Sequence, residues 1–157
     1  MTNPFNDQSE FMQAAGQTTG QYNAEQTELY INLVVEEFKE CVEAESLEQY
    51  VKEICDLIVV SIGVLHSLGV DAEEAWRRVH ASNMSKLPFE KDPVTGKVKK
   101  GPNYQKPNMR EVIEAIPNID EVSTEMTEEE LRSLEVDISK IRAVEIPADA
   151  LDGDDDE

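Results

Sequence analysis

Four carboxylates stand at spacings that bring them to one point. Glu37 and Glu40 are three residues apart, and so are Glu53 and Asp56, so on helices each pair shares a face. Both pairs sit inside apolar stretches, beside Val34, Phe38, Cys41, Ile54 and Leu57. A helix that buries itself ordinarily keeps its acids on the wet side. If the chain reverses at Ser46, Glu40 lies six residues before the turn and Glu53 seven after it, while Glu37 lies nine before and Asp56 ten after. Antiparallel packing then sets each pair at nearly the same height, offset by about 1.5 Å. Carboxylates at such separations repel by about 4 kcal/mol at 4 Å and an effective dielectric near 20. Protonation or a divalent cation relieves this, and an all-oxygen ligand set suits Mg²⁺ or Mn²⁺ better than zinc or copper. Glu36, one turn before Glu40, joins the cluster or backs it. The plainer reading is a solvated acidic face balanced by Lys39 and Lys52. Two acid pairs mirrored about a turn, on helices otherwise apolar, favour the metal, because buried charge requires a partner.

The elements that must hold these residues are helices. Between about Ala24 and Ala44, Leu29, Leu33, Val34, Phe38, Cys41 and Val42 recur at three- and four-residue steps. Ser46 followed by Gln49 is a capping box that opens a second helix, running to about Leu68. That helix is apolar nearly all round between Ile54 and Leu65, which predicts a place in the middle of a bundle. Gly69 ends it. Asp71 with Glu74 caps a third helix, which carries Trp76 and Val79 towards the core and ends near Met84. Ahead of these, "SEFMQAA" predicts a short helix capped by Ser9 and broken at "GQTTGQ". After them, residues 89–107 are rich in Pro and Gly, and "VTGKV" predicts a tight hairpin turn. A last helix is expected over 127–139, with Thr127 as its cap, and "DGDDDE" reads as disordered. The expected fold is all-α: an antiparallel helix bundle with a short β-hairpin after the third long helix. The expected organisation is one domain over residues 1–109 and an acidic extension over 110–157.

Charge narrows the function. The formal net charge is −20. Residues 110–157 hold 17 acidic against 4 basic residues, and residues 1–109 hold 17 against 10. Such a chain repels nucleic acid and anionic membrane. No run of 18 apolar residues predicts a membrane span, and "MTNPFNDQSEF" lacks the features of a secretory signal. Cys41 and Cys55 lie in apolar helical pattern and read as small buried hydrophobes in a reduced cytoplasm. Neither they nor His66 and His80 stand at zinc spacing. The charge reverses locally: from Lys86 to Arg110 there are seven basic residues against Glu90 and Asp92.

"EEFKE", followed twelve residues later by "EICD", resembles the EExxE…ExxD signature of the all-α nucleoside triphosphate pyrophosphohydrolases. The resemblance extends through "SNMSK" and "KGPNY", as in the MazG-like and phosphoribosyl-ATP pyrophosphohydrolase-like branch, and "FMQAAGQ" is similar to its short leading helix. It covers roughly residues 5–107. It implies an oligomeric four-helix core, a dimer or tetramer, that hydrolyses a nucleoside triphosphate to the monophosphate and pyrophosphate. The metal ligands carried over are Glu37, Glu40, Glu53 and Asp56, binding Mg²⁺ (or Mn²⁺), with Glu36 behind them. Glu40 is the candidate base for the attacking water. Asn83, Lys86, Lys100 and Tyr104 are the candidate substrate-binding residues, because a strongly acidic chain needs a local positive site for an anionic substrate. Phe11, Gln17 and Tyr22 are candidates for the base pocket by resemblance alone. The branch suggests a purine deoxynucleotide, dGTP or dATP. A dUTPase-like activity and a non-enzymatic acidic interaction protein are the alternatives.

Overall fold

The computed structural model describes residues 2–121, and the expected helix at 127–139 and the acidic end lie outside them. In chain order the helices are α1 (Pro4–Ala14), α2 (Ala24–Glu43), α3 (Leu47–Ser67), α4 (Ala72–Met84) and α5 (Arg110–Glu114). A 3₁₀ turn follows at Ile119–Glu121. The described chain is thus all-α, with no strand.

The caps explain where the helices begin. Ser46 Oγ accepts from Gln49 N at 3.1 Å, and Gln49 Oε1 reaches back to the Glu45 amide at 3.1 Å. Asp71 Oδ1 accepts from Glu74 N at 2.9 Å, and Asn23 Oδ1 from Gln26 N at 3.0 Å. α1 starts earlier than expected. Asn3, not Ser9, is its cap, with Pro4 in the first turn, where a missing amide costs nothing. Ser9 lies inside the helix and accepts from Gln13 Nε2.

α2 and α3 form the principal pair, joined by the short link at 44–46. Their register is antiparallel and constant. Gln26 Nε2 meets Ser67 Oγ at 2.9 Å, and four residues further along α2 the Tyr30 ring lies against Gly63, four residues earlier on α3. Ten residues beyond that pair stand Glu40 and Glu53. α1 crosses α3 and contributes Met12 to a small core with Tyr30 and Val60, flanked by Leu33, Val34 and Val64. The Tyr30 hydroxyl donates to Gln17 Oε1 at 2.7 Å and accepts from Gln8 Nε2 at 3.3 Å, so the ring is buried with its polar end satisfied. Burial pushes its phenol above the ordinary tyrosine value.

Three expectations about packing fail for one reason. α3 is not enclosed: Val51, Ile58 and Val59 are exposed. Trp76, expected inside, is 62% exposed and touches the Phe5 ring at 6.0 Å. α1 and α2 cover one side of α3, while α4 meets it only lightly. An open apolar groove of about 950 Å³ remains between Phe5, Leu57, Ile58, Leu65 and Trp76. Cys41 is buried as expected, but Cys55, on the uncovered side of α3, is exposed.

The segment after α4 closes on a single antiparallel bridge, Lys91 to Val98, rather than on strands. Asp92 builds its turn, accepting from the amides of Val94 and Thr95 and the Thr95 hydroxyl, with Gly96 at φ 69°. These hydrogen bonds, the Thr95 amide first, hold the Asp92 carboxyl below its ordinary pKa. The chain then returns along α4. Ser82 Oγ donates to Gln105 O, and Arg78 holds Asn108 O and the Glu111 carboxylate. Val112 and Ile116 are buried, and Asn118 pairs through its side chain with both backbone groups of Tyr22.

Candidate metal centre

Glu37, Glu40 and Glu53 come together between α2 and α3. Each offers one oxygen, and those oxygens lie within 4.8 Å of one another. Glu53 is the most enclosed of the three, with its side chain 4% exposed. Asp56, one turn along α3, stands at the edge with its side chain 40% exposed. Its charge still reaches Glu37. Lys52 joins the two α3 acids: Nζ donates to Glu53 Oε2 at 2.8 Å and to Asp56 Oδ2 at 2.7 Å. Glu36 lies beside Glu40 in a shallow groove along α2, lined also by Asn32, Val35, Lys39 and Glu43.

The electrostatics follow from this crowding. Removal from water pushes the Glu37 carboxyl above its ordinary pKa, and the charges of Glu40 and Asp56 push it further. Glu40 is raised by desolvation first, then by the Glu53 charge and a hydrogen bond shared with Glu53. The neighbouring Cys41 thiol is raised by burial and then by Glu53 and Glu37. Lys52 is held charged, chiefly through its hydrogen bond to Asp56 and then that to Glu53. One ammonium does not neutralise this set.

A divalent cation fits the residues present. Glu37 Oε2 is buried with no hydrogen-bond partner. A buried carboxylate oxygen left unpaired is costly, and a cation among three facing carboxylates satisfies it. The donors are all oxygen, which suits a hard ion.

The raised carboxyls make a pH prediction. In the metal-free folded chain Glu37 and Glu40 keep their protons to higher pH than in the unfolded chain. Their contribution to stability therefore falls as pH rises through the raised values, and it is without penalty below the unfolded value. Glu37→Gln removes the Glu37 share. In chelator-treated protein, the melting temperature of Glu37→Gln relative to wild type should rise from about pH 4 to pH 8. A difference independent of pH over that range contradicts the crowding account.

The expected substrate-binding residues form two local pairs. Lys86 Nζ donates to Asn83 Oδ1 at 2.8 Å at the end of α4. Lys100 Nζ lies 4.8 Å above the Tyr104 ring. The two pairs belong to one patch, because Gly101 packs on the Lys86 backbone and Asn103 Nδ2 bonds Leu87 O. Among the described residues, no hydrogen bond or ion pair links this patch to the carboxylates of α2 and α3. Of the base-pocket candidates, Phe11 is exposed, Gln17 is engaged with Tyr30, and Tyr22 is tied to Asn118. His66 is a packing residue bonded to Phe5 O at 2.9 Å. Reading the sequence weighed Lys52 only as a surface counter-charge, and the structure puts it in the site. Its position four residues before Asp56 and next to Glu53 was the available signal.

Residues 9–83 match the profile of a family described as phosphoribosyl-ATP pyrophosphohydrolase. The match includes all four acids, Lys52 and Asn83, and it ends before Lys86, Lys100 and Tyr104. No curated protein matches the chain.

Proposed function

We propose that this chain, whose residues 9–83 match the phosphoribosyl-ATP pyrophosphohydrolase family, is a nucleotide pyrophosphohydrolase of the MazG-like superfamily that splits a purine deoxynucleoside triphosphate, dGTP or dATP, into the monophosphate and pyrophosphate. The observation that carries the site is the meeting of Glu37, Glu40 and Glu53 around a buried, unpaired Glu37 oxygen within the matched segment. These three, with Asp56, are the proposed ligands of Mg²⁺ or Mn²⁺. Such an ion supplies phosphate binding and neutralises charge developing on the α-phosphoryl oxygens.

The chain's own groups take the remaining roles in this reading. Glu40 is assigned as the group that accepts the proton of the attacking water, a role its raised carboxyl and its side open to the α2 groove support. Glu36 adds negative charge beside it, which favours that proton's uptake. Asn83, Lys86, Lys100 and Tyr104 form a basic patch for the phosphates or the sugar.

A homo-oligomer belongs to the same proposal. The exposed Val51, Ile58 and Val59 and the groove beside Trp76 are apolar surface that a partner copy would cover. Sedimentation of the purified chain checks this, and a monomer at micromolar concentration overturns it. Among the described residues no single helix is long and apolar enough to cross a membrane. The proposed location is the cytoplasm, consistent with free thiols at Cys41 and Cys55.

The test is pyrophosphate release from each common nucleoside and deoxynucleoside triphosphate and from phosphoribosyl-ATP, with Mg²⁺ and with Mn²⁺. The expected result is release from dGTP or dATP in preference to the rest. Preference for dUTP or phosphoribosyl-ATP replaces the purine deoxynucleoside triphosphate assignment, and release from none overturns the substrate class.

A further inference from the structure

Lys52 stands where the proposed ion and its ligands meet, and its geometry separates it from the other lysines. Nζ bridges Glu53 Oε2 and Asp56 Oδ2, one carboxylate deeply buried and the other at the rim. Its own side chain is 62% exposed. Both of its partners lie on α3, so it neutralises that side of the cluster. The α2 side keeps an unpaired oxygen on Glu37. Lys39, the other lysine near the acids, makes no ion pair among the described residues.

We propose that Lys52 is the resident counter-cation of the metal-free site, and that it competes with the divalent ion for Glu53 and Asp56 and swings into solvent when the ion binds. This rests on the metal-site reading above. The carboxylates need positive charge to stay close, and an ammonium on a flexible four-carbon stem supplies one unit without fixing a geometry. An ion at ligand distance from Glu53 and Asp56 would lie within a few ångström of Nζ, and the two cations repel. The lysine yields, because its own side chain is 62% exposed and solvent is already open to it, whereas a divalent ion carries twice its charge. The consequence is a site that keeps its shape when empty and binds its ion less tightly than four bare carboxylates would. Metal occupancy is then responsive to the free ion concentration. The opposite arrangement, in which Lys52 stays on the outer carboxylate oxygens and orients them for the ion, makes the opposite prediction.

The experiment is calorimetric titration of the full chain with Mn²⁺ alone, for wild type, Lys52→Met and Lys52→Arg, with melting temperatures in chelator and in saturating Mn²⁺. Lys52→Met keeps the stem and removes the charge. It should bind Mn²⁺ about 3- to 10-fold more tightly, as expected when a solvent-accessible ammonium stops competing. It should also melt lower than wild type in chelator and at the same temperature in Mn²⁺. Lys52→Arg, whose planar fork grips carboxylates more firmly, should bind Mn²⁺ more weakly than wild type. Equal or weaker binding by Lys52→Met, with wild type binding normally, overturns the competition. Absence of Mn²⁺ binding by wild type itself overturns the metal-site reading, and this inference with it.

Discussion

Glu53→Gln should reduce pyrophosphate release by at least about 10²–10³-fold while leaving the fold intact. Glu53 is the most buried of the cluster acids, and it faces Glu40 across the α2–α3 pair. The amide has the same shape, so the helices have no packing reason to move. It removes one of several like charges, which relieves the metal-free protein rather than straining it. Lys52 keeps Asp56 as a partner. What the substitution takes away is a charged oxygen at the centre of the proposed ligand set. The rise in melting temperature given by Mn²⁺ should shrink with it. That rise reflects about 2.7 kcal/mol of stabilisation at a hundredfold excess over Kd, and it vanishes as Kd climbs above the working concentration. Circular dichroism establishes the fold, the metal-dependent melt reads the site, and the turnover assay reads the chemistry. Activity within a few-fold of wild type, with an undiminished metal shift, would place the active centre elsewhere in the chain.

The pairing of the acids was legible because it depends on little more than counting. Helical rise is constant, Ser46 fixes the turn, and residues equidistant from it meet. Gln26 with Ser67 and Tyr30 with Gly63 keep the register that Glu40 and Glu53 share. The start of α1 was misread, because Ser9 has the chemistry of a cap but lies inside a helix that Asn3 caps. Only the docking of Met12 against Tyr30 and Val60 decides how much of the segment is wound. The exposure of Trp76, Ile58 and Cys55 was not legible. Apolar periodicity says which residues seek cover, not whether the chain has enough helices to provide it. The hairpin divides in the same way. Its turn is written in Asp92, Thr95 and Gly96, but the ladder depends on flanking residues that form one bridge. The reach of the patch around Lys86 and Lys100 towards the acids depends on the path of residues 85–105, which no local signal sets.

Gly63→Ala should destabilise the protein, against the rule for glycine inside a helix. Replacing a helical glycine by alanine ordinarily gains about 1 kcal/mol. Here a Cβ on residue 63 would lie 2.2 Å from Cε1 and 2.3 Å from Cδ1 of Tyr30. Carbon atoms in contact need about 3.5–4.0 Å, so the ring must retreat by more than an ångström. Tyr30 is 3% exposed, packed on Met12 and Val60, and its hydroxyl is held by Gln17 and Gln8. Retreat overpacks that core, at about 1–3 kcal/mol, and loosens two hydrogen bonds worth about 1 kcal/mol each. The losses exceed the helical gain, and a net cost of about 2 kcal/mol is expected, lowering the melting temperature by roughly 5–10 °C. The location of the damage is checked by Tyr30→Leu. That substitution is itself destabilising, but it removes the ring that the new methyl strikes. Adding Gly63→Ala to Tyr30→Leu should therefore be neutral or stabilising, a coupling between the two sites of well over 1 kcal/mol. If Gly63→Ala stabilises wild type by the full helical increment, the close approach of α2 and α3 at this level is wrong. The register that brings Glu40 to Glu53 ten residues away then loses one of its two supports.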